Sequence, residues 1–115
     1  MKYFTPPEFA CSHCGLSEMS TKFTHALDEL RGRCGFPFVI TSGYRCPYHP
    51  KEVIKPTPGT HNKGIAGDVL CTSSFERYVI LKEAMLMRVF TGIGIGPDFI
   101  HLDIRKTTPV TWVYS

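Results

Sequence analysis

Two histidines and an aspartate carry the chemistry that this sequence offers most plainly. His61 and Asp68 lie seven residues apart across a glycine-rich bend, Gly59-Thr60-His61-Asn62-Lys63-Gly64-Ile65-Ala66-Gly67-Asp68. A second histidine follows in Pro97-Asp98-Phe99-Ile100-His101-Leu102-Asp103. A catalytic zinc ion takes three protein donors, commonly imidazole nitrogen and carboxylate oxygen, and keeps a fourth position for the water that does the chemistry. His61, Asp68 and His101 could supply that set. Singly, each has an ordinary reading as a loop histidine, a strand histidine and a turn or cap aspartate; the argument for a metal rests on the three together.

Upstream, Ser42-Gly43-Tyr44-Arg45 closes a β-branched apolar run. A guanidinium presents a planar fork of donors suited to a carboxylate or a developing oxyanion, and it stays charged at any relevant pH. The residue type alone favours a surface or loop-bracing arginine over a substrate-facing one.

Taken in order, Ser42-Gly43-Tyr44-Arg45, His61-x-x-Gly64-x-Ala66-x-Asp68 and Asp98-x-x-His101 resemble the zinc D-Ala-D-Ala carboxypeptidase family. Its members include the VanX and VanY enzymes and the L-alanyl-D-glutamate endopeptidases of phage endolysins. The resemblance runs from about Phe36 to Trp112, roughly two thirds of the chain. It implies a Hedgehog/DD-peptidase type of fold, zinc held by His61, Asp68 and His101, an Arg45 that faces substrate, and hydrolysis of a peptide bond in the peptidoglycan stem peptide. A carboxylate must still carry the water's proton to the leaving amine. The family places an acidic residue three before its last histidine ligand, which makes Asp98 the first candidate for this base. Asp103 is the rival, two residues after His101 and on the same strand face, with a ligand-orienting role as its other reading. Two positions depart from the family pattern. His49-Pro50 stands where relatives often have His-Asn, which keeps His49 out of the ligand set, and Thr60 stands where serine is common, which preserves the hydroxyl.

Composition narrows the setting. With 115 residues, 43% apolar and 20% charged, the chain is expected to be one zinc peptidase domain over 1–115 with a single modest core. No apolar run approaches the roughly 18 to 20 residues that span a bilayer, so membrane insertion is not expected. A formal charge of +3 with scattered basic residues would help the protein gather on an anionic cell wall, yet draws no nucleic-acid footprint. The expected partner is the stem peptide, and the expected state a monomer. Met1-Lys2-Tyr3-Phe4-Thr5-Pro6-Pro7 has no signal-peptide core. The expectation is synthesis in a cytoplasm and action at the bacterial cell wall after holin-type release, as in phage or prophage lysis.

Five cysteines, Cys11, Cys14, Cys34, Cys46 and Cys71, leave at least one outside any intramolecular disulfide. Cys11-x-x-Cys14 raises a structural zinc knuckle or a redox pair. Because Cys34 and Cys46 are single and fall in other elements, the expectation here is buried or free thiols that behave as small hydrophobes. A zinc-ribbon nucleic-acid binder lacks its second cysteine pair.

The elements that must position the site follow from periodicity and caps. Thr5 and Glu8 read as a capping box with Pro6 at the first helical position. Phe23, Ala26, Leu27, Leu30 and Cys34 recur at helical spacing between a Ser20 or Thr21 cap and Gly35, with His25 on the surface. Phe38 to Thr41 predicts a buried strand, Tyr48 to Ile54 one helical turn within a proline-rich loop, and Ile65 to Cys71 a second strand, with Gly64 and Gly67 allowing close backbone approach around the metal. Ser73-x-x-Glu76 opens a helix carrying Phe75, Tyr78, Val79, Leu81, Met85, Leu86 and Val89, its methionines read as core fillers. Gly92-Ile93-Gly94-Ile95-Gly96 predicts a strand with one face close to another backbone. Phe99 to Arg105 alternates, with His101 and Asp103 on one face and Ile100, Leu102 and Ile104 on the other. Trp112-Val113-Tyr114 predicts a last edge strand or a cover. The fold class expected is α+β, a small, mostly antiparallel sheet with flanking helices. The competing function is a non-catalytic, zinc-containing wall-binding or phage structural module of the same fold, which has no need of a carboxylate at Asp98.

Overall fold

The first long helix, α1 (Thr21–Cys34), starts where Ser20 Oγ accepts a hydrogen bond from the Phe23 amide at 3.4 Å and stops at Gly35, whose φ of 77° is left-handed. The Ser20 cap is of a kind that contributes about 1 kcal/mol. In the computed structural model, which describes residues 1–114, a 3-10 turn at Pro6–Phe9 precedes it, with the Glu8 carboxylate accepting from the Thr5 amide at 2.6 Å. The short α2 (Pro50–Val53) lies in the proline-rich loop, and α3 (Ser74–Met87) is capped by Ser73, which accepts from the Glu76 amide at 3.2 Å.

Strands β1 (Ile40–Ser42), β2 (Ala66–Leu70), β3 (Gly92–Ile95), β4 (Phe99–Asp103) and β5 (Val110–Val113) form one sheet in the order β1-β2-β4-β3-β5. Strands β3 and β5 run parallel; the other neighbours are antiparallel. This is the expected α+β architecture with a mostly antiparallel sheet. Helices α1 and α3 cover one face. Phe23, Leu27 and Leu30 of α1 and Ile80 and Ala84 of α3 bury against Val69, Ile93, Ile100 and Leu102 of the sheet. Each large side chain buried in this layer contributes about 1.5–3 kcal/mol. Among the described residues no helix is long and apolar enough to cross a membrane.

Three expectations about packing are corrected. The strand expected at Phe38 to Thr41 is a three-residue edge strand shifted to Ile40–Ser42; Phe38 is buried as expected, whereas Val39 and Thr41 alternate onto the open face and are exposed. Helix α3 buries Ile80 and Ala84, while Phe75, Tyr78, Met85 and Leu86 face outward. Apolar residues surround this helix, so periodicity could not choose the stripe that packs; Met85 is no core filler. Gly67 does not open space beside the site: a Cβ there would meet the Phe23 ring at 3.3 Å, on the helix-covered face. Gly64, at φ 71°, fits instead against the backbone carbonyl of Glu18. The helical turn at α2, the β3–β4 hairpin and the β5 edge strand fall where the sequence places them, and His25 is on the surface.

Candidate metal centre

On the sheet face away from the helices, register draws a row across all five strands: Ser42 opposite Asp68, Asp68 opposite His101, His101 opposite Gly94, and Gly94 opposite Trp112. Directly opposed residues point to the same side of a sheet, with Cβ atoms close enough to touch. Asp68 and His101 are thereby placed together by backbone pairing alone. His61 comes from the turn before β2, where the Gly64 amide donates to the His61 carbonyl at 3.2 Å and the Ile65 amide to the Thr60 carbonyl at 3.2 Å.

Each histidine has one ring nitrogen engaged by the protein, which assigns the tautomer. His61 Nδ1 donates to the Gly43 carbonyl at 2.8 Å, leaving the Nε2 lone pair 3.3 Å from Asp68 Oδ1. His101 Nε2 donates to Asp103 Oδ2 at 2.7 Å, leaving Nδ1 3.0 Å from the same Asp68 oxygen. In a tetrahedral zinc site with metal–donor distances near 2.0–2.1 Å, neighbouring donors lie about 3.3 Å apart. The donors of His61, Asp68 and His101 all fall within 4.8 Å of one another, and all three residues are buried. This set fits a zinc ion.

The electrostatics agree. Burial pushes the Asp68 carboxyl up, but hydrogen bonding and charge from His101 and His61 outweigh it and hold the group well below the usual carboxylate range. Burial pulls His101 down, and the Asp103 and Asp68 carboxylates more than reverse this. The pocket is a nest for positive charge, be it a proton or a metal. Asp103 is itself completely buried and ionised: burial raises its carboxyl, His101 and Arg105 lower it further, and the Arg105 guanidinium grips it through Nε at 3.0 Å and Nη2 at 2.6 Å.

The glycine alternation of β3 now has a reason. A Cβ at Gly92 would strike the Asp103 carboxylate, one at Gly94 would come within 2.6 Å of the Tyr114 ring and 2.7 Å of Trp112 Nε1, and one at Gly96 would strike the Phe99 ring. What lies close to this bare face is a set of site side chains, not the backbone expected from sequence. Trp112 in turn lies 5.3 Å from the His101 ring, with the Arg105 guanidinium 4.8 Å from the Trp112 ring centre.

Arg45 sits at the rim. Its Nε donates to Ser42 Oγ at 3.1 Å, Nη2 is 3.7 Å from Asp68 Oδ2, and Nη1 is 3.6 Å from Glu52 Oε2. Glu52 is a buried acid that sequence reasoning missed; burial raises its carboxyl, and Lys55, 2.7 Å away, outweighs that and lowers it. A Glu in a four-residue helical turn between lysine and valine gave no signal of burial. Two adjoining clefts, of about 730 and about 330 Å³, share Arg45, Lys51, Asp68 and Phe99 as walls. His61, His101 and Arg105 line the smaller. Asp98 lines the larger, exposed, its carbonyl accepting from the Cys71 amide at 2.8 Å.

Thus the structure brings His61, Asp68 and His101 together, sets Arg45 against Asp68, puts Asp103 behind His101, and leaves Asp98 on the wall of the neighbouring cleft. The family model for peptidase M15 matches residues 2–103. The chain belongs to the peptidase M15 family. Among curated proteins, none matches the chain. Membership of the M15 family implies a metallopeptidase, and the family is the one that the three sequence motifs resemble. Among its described residues, this M15 chain offers two candidate metal-binding groups, His61 with Asp68 and His101, and Cys11 with Cys14 and Cys46. The first of them opens on a cleft.

Proposed function

We propose that this M15 chain is a zinc peptidase of bacterial peptidoglycan, hydrolysing a stem-peptide bond as a D,D-carboxypeptidase or as an L-alanyl-D-glutamate endopeptidase. The observation that carries the reading is the convergence of three lone-pair donors, His61 Nε2, an Asp68 oxygen and His101 Nδ1, beside an open cleft. Zinc held there supplies Lewis-acid polarisation of the scissile carbonyl and a water acidic enough to react near neutral pH.

The chain's own residues do the rest. Asp98, on the wall of the larger cleft, takes the proton of the attacking water and returns it to the leaving amine. Asp103 holds His101 in the tautomer that keeps Nδ1 free. Arg45, already beside the site, pairs with a substrate carboxylate or the developing oxyanion through its planar fork. Lys51, on the wall shared by both clefts, adds positive charge that suits the carboxylates of a stem peptide, while Lys55 and Arg105 are paired with Glu52 and Asp103. The setting that fits this activity is cell-wall lysis by a phage or prophage, with the chain made in a cytoplasm, released by a holin-type partner and working as a monomer.

Digestion of purified muropeptides, with products read by mass spectrometry, tests the reading. Loss of a terminal D-alanine, or separation at the L-alanyl-D-glutamate bond, is the expected result and distinguishes the two activities. Intact muropeptides after incubation with zinc-loaded protein would favour the wall-binding alternative.

A further inference from the structure

Cys11-x-x-Cys14 lacks a second cysteine pair in sequence, and the fold supplies a third sulfur from elsewhere. Beyond β1, the chain runs along the N-terminal segment: the Tyr44 amide donates to the Phe9 carbonyl at 2.9 Å, and Cys46 arrives beside Cys11 from 35 residues away. The Cys11–Cys14 turn is closed by the Gly15 amide on the Cys11 carbonyl at 2.8 Å, with Gly15 at φ 80°. The sulfurs of Cys11, Cys14 and Cys46 all lie within 4.8 Å of one another, and none is in a disulfide. Two backbone amides, those of His13 and Cys46, donate to Cys11 Sγ at 3.4 and 3.3 Å. His13 Nδ1 lies 3.4 Å from Cys46 Sγ.

We propose that Cys11, Cys14 and Cys46 bind a structural zinc ion separate from the hydrolytic site, with His13, whose Nδ1 lies beside the Cys46 sulfur, turning in as the fourth donor. A tetrahedral zinc–thiolate site with bonds near 2.3 Å has sulfurs about 3.8 Å apart, so these three close on an ion with about 1 Å of movement. A disulfide uses two of the three sulfurs and strands the last. Three cysteines and one histidine fill the coordination sphere, which makes the site structural rather than hydrolytic. Its effect reaches the catalytic cleft through the chain. Cys46 directly follows Arg45, whose amide donates to the His61 carbonyl at 3.3 Å, and the same segment offers the Gly43 carbonyl that fixes the His61 tautomer. Apart from the main core, Cys11, Tyr44 and Cys46 form only a small buried cluster, so a metal crosslink anchors the segment where apolar packing is thin.

Cobalt substitution tests this without reference to hydrolysis. Full-length protein carrying His61→Ala and His101→Ala, purified under reducing conditions and loaded with cobalt(II), should bind one metal per chain and show thiolate-to-cobalt charge-transfer absorption. In the wild type, Cys14→Ser and His13→Ala should each lower zinc content from two per chain to one; Cys14 is exposed, so its replacement leaves the core intact. Absence of the thiolate band in the double histidine variant, or a Cys11–Cys46 or Cys11–Cys14 disulfide in the freshly purified protein, would overturn the proposal. Because the double histidine variant has no hydrolytic site, failure there leaves the peptidase reading standing, and muropeptide cleavage without the thiolate band would separate the two.

Discussion

His101 is held between two carboxylates with opposite duties: Asp103 Oδ2 accepts its Nε2 proton at 2.7 Å, and Asp68 Oδ1 faces its Nδ1 at 3.0 Å. The two aspartates near His101 in sequence, Asp98 and Asp103, therefore have different expected phenotypes. Asp103→Asn should weaken zinc binding by about 10- to 100-fold, as changes behind a ligand do, with much of the rate recovered at saturating zinc. Asp98→Asn should keep the metal and lose about 10²- to 10⁴-fold in rate. Zinc competition with a chelating dye, alongside kinetics on a defined stem peptide, checks both. Normal zinc affinity with lost turnover in Asp103→Asn, and full activity in Asp98→Asn, would transfer the base to Asp103.

The bare face of β3 makes a stability prediction. Gly94→Ala drives a methyl group into Tyr114 and Trp112, and Gly92→Ala drives one into the Asp103 carboxylate. Crowding of this kind costs about 1–3 kcal/mol, readable in urea denaturation. Gly92→Ala should also lower zinc affinity, since it displaces the acceptor that orients His101; wild-type stability in both variants would show that these contacts relax freely.

Arg45→Lys should bind zinc normally yet lose most of its hydrolytic rate, because one ammonium cannot replace a fork that reaches Ser42, Glu52 and the Asp68 side of the cleft together. The rate measured at saturating zinc decides. An unchanged rate would make Arg45 a brace for its loop, the reading that its residue type alone favours.

At the N-terminus, the Asp28 carboxylate accepts from the Lys2 amide at 3.0 Å and the Tyr3 amide at 2.7 Å. Burial raises this carboxyl, and the hydrogen bonds from the Lys2 and Tyr3 amides lead the contributions that together outweigh it, so its folded pKa lies below the unfolded one. A depressed carboxylate contributes stability that is present above the unfolded pKa of about 4 and disappears as pH falls through the lower folded value. Asp28→Asn should flatten the acid side of the stability–pH curve while leaving its shape above neutrality unchanged. Parallel denaturation curves for the two proteins from neutral to acid pH would contradict this.

The candidate metal cluster was legible because its signals are chemical and local: His61, Asp68 and His101 combine suitable donor types with glycines and alternation that read without a fold. Helices α1 and α3 announced their starts through Ser20 and Ser73, side chains that cap in any context. What stayed hidden depends on where the chain goes. Cys46 reads as a single cysteine until β1 carries it back to Cys11, and Glu52 reads as surface charge until Lys55, Arg45 and the Gly59 amide surround it. The glycines of β3 were read as lying close to another backbone, and only the β3–β5 register reveals that the side chain of Trp112 lies there instead.

The most direct measurement is stem-peptide hydrolysis by one preparation in three states: as purified, stripped of metal by a chelator, and restored with zinc, with His101→Ala carried through in parallel. The account predicts cleavage that disappears on stripping, returns with zinc, and is absent throughout in His101→Ala even though that variant keeps the metal on its cysteines. Equal cleavage by stripped and restored protein, or zinc-dependent cleavage at the wild-type rate by His101→Ala, would contradict it.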